Sequence, residues 1–164
     1  MASGNTLAIF TPHAGESPAA NYATQDVRNN HPVLDFDASA DETIYFSGVM
    51  PGHYDGGGVT VHVIGAFSSD TNNAHTCDVD IAFERIGDGQ QDLDVDGFAA
   101  VQTATLTVPA TSGLTDVANA AFANGAEMDS VVADEAYRIS VMVDTSDSDF
   151  TGDFELLAIH IKET

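Results

Sequence analysis

The chain has 164 residues, enough for one domain with a substantial core and no need of disulfide or metal support. Its hydrophobic fraction of 43% is that of a globular protein, so the 26 acidic residues spread along it decorate a fold and do not form a disordered acidic tail. Only Arg28, Arg85, Arg138 and Lys162 oppose them, and the resulting net charge of −22 repels nucleic acid and anionic membrane surfaces alike.

No apolar stretch approaches the roughly 20 residues of a spanning helix. Residues 1–5 lack a basic segment followed by an apolar run, so no secretory signal is expected, and synthesis and assembly in a cytoplasm follow. Such a charge density suits high salt or divalent cations, which screen the self-repulsion.

In chain order, the first strand expected is 7–10. Residues 11–31 follow with Pro12, Pro18, several Asn and Ala, and no sustained periodicity. A stretch this long without structure is uncommon inside a compact domain. Two readings stand: an extended arm that orders on a neighbouring subunit, or a long loop lying over its own domain.

Strands are then expected at 33–37, 43–50 and 59–66, separated by Pro51-Gly52 and by Asp55-Gly56-Gly57-Gly58, both suited to tight turns. The cleanest alternation runs over 77–85, where Cys77, Val79, Ile81 and Phe83 alternate with Asp78, Asp80, Ala82 and Glu84. Cys77 is the only cysteine, and its place in that alternation marks it as a buried small hydrophobe.

A polar loop over 87–97 precedes a strand at 101–108. Residues 115–123 carry two signals. Leu114, Val117, Ala118, Ala121 and Phe122 recur at helical spacing, whereas a strand completes a sandwich. The strand is preferred. Tyr137, Ile139, Val141 and Val143 give another clean alternation, and after the polar loop 145–152 the last strand is expected at 154–162. Many short strands with no long amphipathic helix predict antiparallel sheets packed face to face.

Asp92-Leu93-Asp94-Val95-Asp96-Gly97 matches the opening of a calcium loop, with alternate carboxylates and a turning glycine. The twelfth position holds Thr103 where a bidentate Glu belongs. Asp92, Asp94 and Asp96 are therefore read as an acidic turn, with an irregular calcium site completed by other loops as the alternative.

The six histidines, His13, His31, His53, His62, His75 and His160, lack the close spacing of helical zinc motifs. By alternation His62 and His160 fall on the strand face opposite the core. No nucleophile elbow, phosphate loop or dinucleotide fingerprint occurs, so no catalytic residue and no cofactor are expected.

Carbohydrate binding is the competing function, since sugars stack on aromatic faces. Trp is absent, and of Tyr22, Tyr45, Tyr54 and Tyr137 only Tyr54, in the Gly-rich turn, is expected to be exposed.

The segments HPVLDFDASADETIYFSGVMPGHYDGGGVTVHV, FERIGDGQQDLDVDGFAA, DSVVADEAYRISV and FELLAIHIKE resemble small virion proteins of tailed phages of the marine and environmental type. The resemblance implies an all-β, eight-stranded jelly roll over 32–164, with an N-terminal strand and extended arm over 1–31. It also implies a homo-oligomer, with a trimer favoured, seated on the virion.

Such proteins act as capsid decoration or cement proteins that bridge capsomers of the major capsid protein, or as tail-associated receptor-binding or carbohydrate-binding modules. On the cement reading, removing the arm weakens attachment more than it weakens the fold.

Overall fold

The computed structural model describes residues 4–164. Ten strands form two antiparallel sheets: β1 (Thr6–Phe10), β2 (Thr24–Arg28), β3 (His31–Asp37), β4 (Glu42–Val49), β5 (Val59–Phe67), β6 (Thr76–Ile86), β7 (Gln102–Thr107), β8 (Thr115–Phe122), β9 (Ala136–Asp144) and β10 (Asp153–Glu163). One sheet runs β2-β3-β10-β5-β8 with β1 also on β10, and the other runs β4-β9-β6-β7.

Counting from β3, the first strand pairs with the eighth, the second with the seventh, the third with the sixth and the fourth with the fifth. That winding is a jelly roll, and the strand order alone establishes it.

Alternation puts one face of each strand into a shared core. Cys77, Val79, Ile81 and Phe83 of β6 are fully buried, as are Ile139, Val141 and Val143 of β9, and they meet Phe36, Val61, Val63, Phe154, Ile159 and Ile161 of the other sheet. Burial pushes the Cys77 thiol far above its ordinary pKa, in keeping with the inert hydrophobe its position predicts. Gly65 is required by close approach, since a Cβ there would stand 2.3 Å from the Phe154 ring.

Residues 115–122 form a strand, as preferred. Ala118, Ala120 and Phe122 are buried in alternation, while Leu114 and Val117, two members of the helical-spacing set, are exposed. Pairing with β5 along its whole length satisfies the backbone groups on one side of this edge strand.

The 11–31 segment lies on its own domain. A 3-10 turn at Pro12–Ala14 follows β1, isolated bridges tie Glu16 to Tyr45 and Tyr22 to Thr43, and β2 then closes a hairpin with β3. The hairpin turn is Asn29-Asn30, both in the left-handed region at φ 46° and 65°, the conformation a two-residue hairpin needs. Leu7, Phe10 and Ala23 enter the core, and the Phe10 ring stacks on Phe46 at 5.3 Å. Residues 6–31 are thus part of the sandwich as well as an extension of it.

Candidate functional site

The two outer faces of the sandwich differ. Over the four-stranded sheet, the loop after β6 folds back and covers the strands. Its Phe98 stacks on Tyr45 at 5.3 Å, and the Arg138 guanidinium lies 4.8 and 5.2 Å from the two ring centres. Beneath it the buried Glu84 carboxylate accepts hydrogen bonds from Arg138 Nε and Gln91 Nε2, and the Ala99 amide donates to the Phe83 carbonyl at 2.7 Å. The loop closes that part of the face, while Ser47 of β4 and Thr103, Thr105 and Thr107 of β7 stay exposed.

Asp92, Asp94 and Asp96 lie in this loop and are exposed. Asp92 Oδ1 accepts from the Asp94 amide at 3.0 Å, and Asp96 Oδ2 accepts from the Asp92 amide at 2.7 Å. The Asp92 and Asp96 carboxylates therefore cap the turn they sit in. Among the described residues, no group of three His, Cys, Asp or Glu side chains is placed to hold a metal ion.

Tyr54 is not the exposed platform that its Gly-rich turn predicts. The turn wraps over the ring, which is 5% exposed, and the hydroxyl donates to the Gly57 carbonyl. Tyr22 is the exposed tyrosine, at 43%. Tyr45 packs beneath the covering loop and Tyr137 is in the core.

Over the six-stranded sheet the face is open and contains a hollow of about 330 Å³. Val33 of β3 and Ala66 of β5, the two strands that flank β10, supply its apolar lining together with Leu157 at the β-bulge in β10. Its polar lining comes from Arg28, Asn29, His31, Thr115 and Glu155.

Arg28 is the organising group of that hollow. Its Nη1 donates to the Phe67 carbonyl at 2.9 Å and to Glu155 Oε2, and its Nη2 donates to Ser112 Oγ at 3.1 Å. Gly113, at φ +82°, leaves room for it, since a Cβ there would stand 3.1 Å from Nη2. A charge on β2 thereby ties the edge hairpin to β10 and to the loop before β8.

Carboxylates crowd the adjoining part of the face. Burial first, and then the charges of Asp153, Glu155, Asp26 and Glu42, raise the Asp35 pKa to about 6, and its Oδ1 is buried without a hydrogen-bond partner.

The fold also brings together two histidines that look isolated in the sequence. His62 of β5 and His160 of β10 are partners in register, with ring centres 5.8 Å apart. Both lie on the outer face, as alternation predicts. Burial lowers the pKa of each; the His160 and Lys162 charges lower His62 further, and the Lys162 charge lowers His160 further.

The other histidines are dispersed. His75 meets Asp70 at 2.7 Å, and His13 shares a hydrogen bond with Gln25. Burial opposes ionisation of Asp70, but the amides of Asn72 and Thr151 and the His75 ring hold its carboxyl down to about 2.

No protein-family model matches the chain, and no curated protein does. Among solved structures, a carbohydrate-binding module studied for specific mannan recognition is similar over 98% of this chain and 88% of its own, at 9% identity and a TM-score of 0.42. A likeness of that size transfers no function, and the jelly-roll architecture rests on the strand order of the chain itself.

Proposed function

We propose that the chain is a non-enzymatic binding module of a tailed-phage particle, and that it takes a glycan in the hollow on the outer face of the six-stranded sheet. The carrying observation is the hollow itself, in which an apolar lining meets convergent polar groups around a fixed Arg28–Glu155 pair. With Arg28 engaged by Glu155 and a net charge of −22, neutral sugars are favoured over sialylated, sulfated or uronate-bearing ones.

The setting on a phage particle rests on the resemblance of residues 31–63, 83–100, 129–141 and 154–163. A glycan microarray probed with the full chain tests the reading. Saturable binding to neutral glycans that is lost in Leu157→Glu, which places a charge in the apolar lining, supports it. Absence of binding across the array contradicts it.

A capsid decoration protein bridging capsomers is the second reading. Exposed apolar side chains favour it: Leu114 and Val117 on the β8 edge, at 55% and 53%, and Val27 on the β2 edge, at 60%. Light scattering decides its oligomeric part, where a trimer supports symmetric seating on a shell and a monomer under all salt conditions speaks against it. The clamp on which that reading draws is engaged with its own sandwich through β1 and β2, which is why the binding module is placed first.

A further inference from the structure

We propose that His62 and His160 together form a two-histidine binding site for a borderline divalent cation: zinc, nickel or copper. The geometry is that of directly opposed residues on antiparallel strands, whose Cβ atoms stand about 4.5–5.5 Å apart on one face. The rings are 5.8 Å apart and tilted by 37°, and both are only partly buried. Rotation about the side-chain bonds brings one nitrogen of each within the 2.0–2.1 Å or so that a zinc–imidazole bond requires.

Thr6 on β1 supplies an orienting contact, with its Oγ1 2.9 Å from His160 Nε2. When that hydroxyl oxygen accepts the Nε2 proton, the lone pair is on Nδ1, the tautomer a metal-bound imidazole needs. An outer-shell partner of this kind is what separates a prepared ligand from a freely turning surface histidine.

The neighbours set the selectivity. Ile9 lies opposite His160 on the β1 side, and Asn119 lies opposite His62 on β8. Among the described residues, no carboxylate joins the pair to make a set of three. Calcium and magnesium, which demand several oxygen ligands, find no cage here, whereas imidazole suits zinc, nickel and copper. Lys162 opposes any cation locally, while the charge of −22 raises the cation concentration around the whole molecule. Water fills the remaining coordination positions.

Calorimetric titration of the full chain with zinc chloride, in excess magnesium to occupy the carboxylates, tests the proposal beside His62→Gln and His160→Gln. The expected result is one equivalent bound, weakened at least about tenfold in each variant, since even outer-shell partners of metal ligands are worth that much. In a parallel titration with nickel, broadening of the His62 and His160 ring signals should precede that of the other four histidines. This second readout needs only the unaltered chain and decides the matter if a variant fails to fold. No saturable binding, binding in either variant as tight as in the unaltered chain, or broadening centred on another histidine overturns it.

Discussion

The Tyr137 hydroxyl sits in the core against Gly48 and Phe10, with no hydrogen-bond partner, in a side chain that is 1% exposed. Burial pushes its pKa far up, so it stays neutral, but it still forfeits its bonds to water. Tyr137→Phe should therefore stabilise the fold by about 1 kcal/mol, a rise of about 3 °C in melting temperature. A loss of stability would mean that the hydroxyl is bonded.

Asp35 on the outer face gives a pH-dependent counterpart. Its folded pKa of about 6 lies above the ordinary 3.8, so the folded chain holds a proton that the unfolded chain has released. Its contribution to stability is therefore fully present below about pH 4 and is lost as the pH rises through about 6. Asp35→Asn should raise the melting temperature near neutral pH and leave it nearly unchanged at about pH 4. Equal effects at the two pH values would contradict the assignment of the shift to Asp35.

Among the elements, the N-terminal strand is the one whose weight the structure changes most. Phe10 is 7% exposed, stacks on Phe46 and meets Tyr137 edge-on at 6.5 Å. Phe10→Ala should cost about 3–5 kcal/mol in a denaturant titration. A cost below about 1 kcal/mol would mean that β1 adds little to the fold.

β6 and β9 were the most legible strands, because each buries one face and period-two alternation is the direct imprint of that arrangement, as in Cys77, Val79, Ile81 and Phe83. Residues 115–123, by contrast, carry helical spacing and read as a strand only because a sandwich needs one. β2 was not legible. Thr24, Gln25, Asp26 and Val27 of this edge strand are exposed and Arg28 is only partly buried, so no alternation marks it. The available signal was Asn29-Asn30, a pair that tolerates the left-handed turn between β2 and β3.

The candidate site was legible only in fragments. The outward placement of His62 and His160 followed from alternation, but their pairing depends on the β5–β10 register, which is set by contacts remote in sequence. Tyr54 misled because a Gly-rich turn predicts a bend and says nothing of what the bend covers. The hollow draws on β2, β3, β5, β8, β10 and adjoining loops, and no local pattern encodes such a convergence.

At the scale of the whole molecule, the asymmetry between the two outer faces links fold to function. One face is covered in part by the loop that carries Asp92, Asp94 and Asp96, anchored through Phe98, Arg138 and Glu84. The other holds Arg28 and Lys162, two of the four cations of a chain with 26 acids, beside apolar side chains and the hollow. Open apolar surface beside polar groups already paired with one another is where a ligand loses least on desolvation.

The central claim, that this open face is the working surface, is tested most directly by glycan-array binding of the full chain and of Leu157→Glu in one experiment. Saturable binding to neutral glycans by the full chain, absent in the variant, is the predicted result. Binding that survives Leu157→Glu unchanged, or no binding to any glycan, would contradict it.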